Sequence, residues 1–238
     1  MIVSAHQPHY LPWIGYLNKI HLSDVFMIMD NMNYTNNGFI NKNRIMSTRG
    51  VQFINVPLIK PYGLNTKINQ LLIETRTRAN WNKKHLRTIK HNYESGKGFN
   101  DFFPIIEPIL EKKYELHIDL LTSLLESILT YLEIDTKIIF ASNLNTTGKK
   151  ETELITNIIK DSGCNEMLLG MGASVKYVNY EYVHKSGYNL LIQKLEHPIY
   201  TQKSRSFTPG ISIIDLIFNV EKQTAIQLTK NCGNFIKV

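Results

Sequence analysis

His6, Gln7, Tyr10, Trp13, Tyr16 and Lys19 crowd into the run SAHQPHYLPWIGYLNKI (residues 4–20), which is punctuated by Pro8, Pro12 and Gly15. An imidazole, with an ordinary pKa of about 6.5, can take a proton at neutral pH. His6 is therefore a candidate general base. Gln7 offers a donor and an acceptor to a base or sugar edge. Tyr10 and Trp13 offer faces for stacking, and Lys19 a cation. Plainer uses exist for each: His6 as a neutral ring that supports a turn, Trp13 as core packing.

A second group, Asp30, Tyr34, Asn41, Asn43 and Arg44, follows closely. Arg44 could grip a phosphate or carboxylate through two parallel hydrogen bonds, or pair with Asp24 or Asp30. A third group is Gly170, Gly172, Ser174 and Tyr177, joined by His197, Tyr200, Gln202, Ser212 and Asp215. The Gly170-Met171-Gly172 turn exposes amides ahead of a helix, an arrangement that binds phosphate or merely connects two elements. Asp215 lies in the otherwise apolar stretch ISIIDLIFN. A buried carboxylate must be hydrogen-bonded. It could orient His6 or His197, or sit within an internal network.

The elements that must position these residues can be read from periodicity. Ile2-Val3 begin a buried strand, 13–20 a helix, and VFMIMD (25–30) a second strand ending at Asp30. The Asn- and Gly-rich stretch 31–45 reads as a loop or long hairpin. QFINVPLI (52–59) and KINQLLIE (67–74) read as strands. Helical spacing marks 81–93, and two further helices are expected within 104–134 with a junction near 114–117. KIIFAS (137–142), EMLLG (166–170) and YNLLIQKLE (188–196) read as strands. Helices are expected at 149–163, 175–187 and 211–219. Strands alternating with helices predict a parallel sheet. The fold expected is a Rossmann-like, mostly parallel α/β sheet in one domain (1–238), with a helical insertion at about 75–134. Ligands of such sheets bind outside the carboxyl ends of the strands, where the three groups would converge.

Composition narrows the function. The 238 residues carry 27 Lys and Arg against 20 Asp and Glu, a net charge of +7. That favours an anionic partner. The basic residues are dispersed, densest at Arg76-Arg78, at Lys83-Lys84-His85-Arg87-Lys90-His91 and at Lys203-Arg205, so no nucleic-acid stripe is expected. No stretch approaches the ~20 apolar residues that span a bilayer. The N-terminus lacks a basic region followed by an apolar one, which predicts a cytoplasmic protein. Cys164 and Cys232 cannot form a disulfide framework or a zinc site alone. Cys164 follows the helix-capping Gly163, where the helix dipole disfavours a thiolate. His6-x-x-His9 would need further ligands to hold a metal, and none is expected.

The motifs HQPHYLPWIGYLNKI, DVFMIMDNMNY, NKNRI and HPIYTQ…FTPGISIIDLIFN together resemble the WbqC-like family, from His6 to Asn219. The family tends to Asn-Arg-Asn before the Ile, where this chain has Asn41-Lys42-Asn43-Arg44-Ile45, and the late Gly after Phe-Asn is here Val220. The resemblance implies a cytosolic step in O-antigen or other surface-polysaccharide biosynthesis. The reaction expected is acyl or aminoacyl transfer to the amino group of a nucleotide-linked sugar, such as a dTDP-4-amino sugar. On that reading His6 or His197 is the base, and backbone amides or Gln7 are oxyanion donors. Arg44 and Lys19 hold the diphosphate, and the donor is a thioester of coenzyme A or of an acyl carrier protein. The competing expectations are a non-catalytic nucleotide-sugar or glycan-binding subunit and a hydrolase that uses Cys164.

Overall fold

A computed structural model describes residues 1–76, 80–144, 151–170, 172, 174–204 and 206–238, with the backbone alone at 151, 174 and 176. Met171, Arg78 and Arg205, which figure in the turn and basic clusters above, lie outside the described residues.

Strand β1 (Ile2–His6), helix α1 (Ile14–His21) and strand β2 (Val25–Ile28) form the opening unit. All four residues of β2 are buried, as expected of a parallel strand covered on both faces. A hairpin follows, β3 (Lys42–Ser47) with β4 (Gly50–Asn55), and then a two-residue pair, β5 (Leu58–Ile59) with β6 (Leu72–Ile73). Helices α2 (Trp81–Tyr93), α3 (Phe99–Glu111) and α4 (His117–Tyr131) come next, before β7 (Lys137–Phe140). The chain continues through α5 (Glu151–Ser162), β8 (Glu166–Leu169), α6 (Ser174–Tyr177), α7 (Tyr180–Lys185) and β9 (Asn189–Leu195). Helices α8 (Ile213–Asn219) and α9 (Lys222–Asn231) and strand β10 (Gly233–Lys237) complete it.

The central sheet has the order β10-β9-β8-β1-β2-β7, parallel except for the β9–β10 pair at one edge. In chain order these strands run 3-2-1-4-5-6 from β7 outward, the order of a doubly wound sheet. The direction of winding reverses between β1 and β8. Ser4 pairs with Leu168, and extending that register by two residues sets His6 level with Gly170. The place where such sheets bind ligands is thus beside the carboxyl end of β1.

Two apolar layers cover the sheet. Tyr16, Leu17, Phe26 and Ile28 join α2–α4, α8 and α9 in the larger one; Val3, Val25, Met27 and Met29 join α5 and α7 in the smaller. The alternation of Val25 and Met27 against Phe26 and Ile28 follows the period of two along a strand. Each large side chain so buried contributes about 1.5–3 kcal/mol.

Four local expectations need correction. Residues 42–47 are a strand, because the Asn43 amide turns inward to bond main-chain carbonyls and leaves an ordinary strand backbone. The stretch 52–59 is split at Val56-Pro57, since proline cannot continue a ladder as a donor. Only Leu72–Ile73 of 67–74 is strand; Ile68–Gln70 forms a 3-10 turn closed by the Gln70 side chain on the Lys67 amide. The helix expected at 175–187 is two short helices, α6 and α7, with Asn179 capping the second through the Tyr182 amide.

Candidate functional site

The run after β1 is held in place by the other two groups. Asn43 donates to the carbonyls of Tyr10 and Leu11 at 3.0 and 2.6 Å, and the Ser212 hydroxyl donates to Leu11 O at 2.8 Å. The Ser212 amide donates to Arg44 O, and the Ile213 amide to Pro12 O. Leu11 has a positive φ of 46°, a conformation that costs a non-glycine residue energy. The three carbonyl bonds fix that turn and so aim the residues before it. Trp13 precedes α1 and its indole covers Gly15, where a side chain would collide with the ring. Trp13 thus serves packing.

His6 is half-buried at the end of β1. Its Nδ1 donates to the Gln7 carbonyl at 2.9 Å, which leaves Nε2 as the acceptor of a neutral ring. Burial, and then the nearby Lys19 cation, hold its pKa down at about 4. Desolvation disfavours the charged form of any imidazole. His9 stands edge to face with His6, ring centroids 4.7 Å apart, and stacks on Tyr16 at 5.0 Å. Burial and His6 lower His9 to about 3. The buried His9 Nδ1 and Tyr16 hydroxyl have no hydrogen-bond partner. Buried polar atoms without partners are uncommon and call for an explanation. Here two of them, His9 Nδ1 and the Tyr16 hydroxyl, lie in the niche formed with the His6 ring, at the point where the sheet's winding reverses.

From this niche a line of aromatic and cationic groups leads outward. Phe39 lies 5.7 Å from His9, and the Arg44 guanidinium lies 5.6 Å from the Phe39 ring. Arg44 Nη2 donates to Gly210 O at 2.7 Å while its buried Nε is unpartnered. Arg44 pairs with neither Asp24 nor Asp30: the Gly210 carbonyl and the Phe39 face hold it instead. Lys19 is buried and donates to Ala5 O at 3.0 Å; desolvation lowers it to about 8. It braces the end of β1 beside His6.

Other predicted residues have structural employment. The Asp215 carboxylate is fully buried and accepts from Tyr93, Tyr200 and Gln202 at 2.8–2.9 Å. It touches neither His6 nor His197, so the expectation that it orients a histidine is not met. Burial pushes its pKa up, against those three donors. Gln202 also donates to Thr208 O and accepts from its amide. His197 donates from Nδ1 to Pro198 O and accepts the Gly210 amide at Nε2. Both its nitrogens are occupied, which removes it from contention as a free base. Tyr10 is fully buried, its hydroxyl on His85 Nδ1 at 2.9 Å, and has no face for a base. Asp30 accepts the Ser142 amide and the Asn69 side chain, joining β2 to the loop after β7. Gly170 and Gly172 have open space where a Cβ would stand, Tyr177 is exposed, and α6 is only four residues long.

The residues from 7 to 227 match the WbqC-like protein family. The chain belongs to the WbqC-like family. A similar protein, Rv1507c of Mycobacterium tuberculosis, described as uncharacterized, is 30% identical over 220 residues, covering 92% of this chain and 93% of that one. No solved structure matches. The segments that meet at the β1 turn all fall within the matched span. The site residue the sequence reading passed over is His9. Its only early signal was the spacing His6-x-x-His9, which suggested a metal pair. Among the described residues no group of three His, Cys, Asp or Glu could hold a metal ion, and no helix is long and apolar enough to cross a membrane. Cys164 is buried in the layer with α5, its thiol towards Ser162 O. Cys232 is buried too, and desolvation raises it to about 11. Neither thiol is set up as a nucleophile.

Proposed function

We propose that this WbqC-like protein is a transferase of surface-polysaccharide biosynthesis that moves an acyl or aminoacyl group onto the amino nitrogen of a nucleotide-linked sugar. The observation that carries the reading is His6: a neutral imidazole with Nε2 free, beside the unpartnered His9 Nδ1 and Tyr16 hydroxyl. In the reaction the neutral amine attacks the carbonyl carbon of a thioester of coenzyme A or of an acyl carrier protein. A C–N bond forms, the C–S bond breaks, and His6 Nε2 takes the proton from nitrogen and returns it to the leaving thiolate.

A base whose conjugate acid has a pKa of about 4 is weak in the resting site, but its imidazolium is a strong acid towards the leaving group. The Tyr16 hydroxyl, which burial keeps protonated far above neutral pH, is a donor suited to the carbonyl oxygen as it gains charge. Gln7, adjacent to His6, is a second candidate for that role. Arg44, with Nε unpartnered, is the cation placed for a phosphate.

The test is direct. Purified protein is incubated with a dTDP-4-amino sugar and a set of acyl-coenzyme A and acyl-carrier thioesters, with product followed by mass. A mass increase equal to the acyl group on the sugar supports the reading. Tight nucleotide-sugar binding with no turnover for any donor supports a binding subunit instead.

A further inference from the structure

A large groove lies away from His6. It has a volume of about 1250 Å³ and runs between β4 and the start of α2. Arg76, Lys83, Lys84 and Arg87 line it, with no carboxylate among the described residues of its walls. None of these four is ion-paired with a described residue. Two of them, Lys83 and Lys84, stand in the first turn of α2, which holds no acidic residue and has no side-chain cap. Cations are disfavoured at that end, where the helix dipole is already positive. Four unpaired cations gathered on one groove make a strong positive potential. Trp81, half-buried, and Phe53, 60% exposed, supply aromatic surface between them.

The groove is wired to the first site at two points. His85 on its floor bonds the Tyr10 hydroxyl and the Asn55 backbone, so the run after β1 fixes the spacing of α2 from β4. Phe53 at its wall sits opposite Arg44 in the hairpin register, with Lys42 Nζ 6.0 Å from its ring. Residues directly opposite in a hairpin share one face, about 5 Å apart. Phe53, Arg44, Phe39 and His9 therefore form a continuous aromatic and cationic track from the groove to His6.

We infer that the groove between β4 and α2 binds the nucleoside diphosphate portion of a substrate whose reactive end runs along this track to His6. The assignment of the reactive end rests on the transferase reading; the groove is argued from its own walls. The phosphates lie against Arg76, Lys83, Lys84 and Arg87, and the base lies on Trp81 or Phe53. A nucleoside diphosphate occurs both in coenzyme A and in a nucleotide sugar, so the two sources need separate arms.

Coenzyme A, 3′,5′-ADP and dTDP are titrated calorimetrically into the full chain, at low and high salt, and Trp81 emission is followed in parallel. One nucleotide should bind with unit stoichiometry and quench Trp81. Lys83→Ala/Lys84→Ala/Arg87→Ala should weaken it at least about tenfold and flatten its salt dependence. Preference for coenzyme A makes the groove the donor's; preference for dTDP makes it the acceptor's. Binding by the triple variant equal to wild type, or no binding of any nucleotide, overturns the inference. His6→Gln should leave nucleotide affinity unchanged. If His6→Gln abolishes transfer while the triple variant binds normally, the groove falls and the transferase reading stands. If the triple variant loses binding in a protein that transfers nothing, the groove stands alone.

Discussion

The Asn43 amide donates to the Leu11 carbonyl at 2.6 Å, across the turn in which Leu11 holds a positive φ of 46°. This bond joins the turn after β1 to strand β3, so Asn43 holds the turn that follows His6. Asn43→Ala should destabilise the protein by about 1–3 kcal/mol, because two buried carbonyls lose a donor. Asn43→Asp should be worse, since a carboxylate would face those carbonyls. Urea unfolding measures both; an Asn43→Ala protein as stable as wild type would sever the link.

Asp215 separates structure from catalysis. Its three donors come from α2, the loop after β9 and that loop's Gln202, so it pins the loop bearing His197 and Gly210 against the core. Asp215→Asn replaces an acceptor oxygen with a donor amide amid those donors, and should cost about 2–4 kcal/mol. At a temperature where the variant remains folded, its rate of transfer should match wild type within a few-fold. A large rate loss without instability would return Asp215 to the reacting groups.

Activity should be insensitive to pH over the middle range. His6 is lowered to about 4 and Lys19 to about 8. If His6 must be neutral and the Lys19 cation must hold Ala5 O, kcat/KM rises as pH increases through about 4 and falls through about 8. A limb near pH 6.5 would show that His6 has the pKa of an unburied imidazole.

Stability should fall in mild acid. His85 and His117 are buried and lowered to about 4, against about 6.5 when unfolded. The unfolded chain then binds more protons as pH drops below about 6.5, so stability declines from there and levels off below about 4. Each site costs on the order of 3 kcal/mol at the lower plateau. Denaturant midpoints taken from pH 7.5 to pH 4 should show the decline, and His117→Gln should make it shallower. A flat profile contradicts these buried, neutral rings.

The parts of this fold that are local were legible in the chain. VFMI is uniformly apolar because β2 is covered on both faces, and the apolar periodicity of α2 and α4 shows because one face of each meets the core. Strand β3 was hidden by Asn41 and Asn43, whose amides satisfy carbonyls inside the protein while their residue type suggests a turn. The last elements, α9 and β10, went unread. The position of His6 at the end of the first strand was legible. The employment of His197 and Asp215 was not, because their partners lie at Gly210, Tyr93 and Tyr200, brought there only by tertiary packing. The basic cluster at 83–87 reads as a solvated helix face until β4 is set opposite it.

His6 Nε2 is the proton carrier of the proposed transfer. The most direct measurement is single-turnover acyl transfer to a dTDP-amino sugar by wild type and His6→Gln, with nucleotide affinity measured on the same preparations. The account predicts a rate lower by about 10²–10⁴-fold, the usual worth of a general base, with affinity unchanged. His6→Gln transferring at the wild-type rate would contradict it.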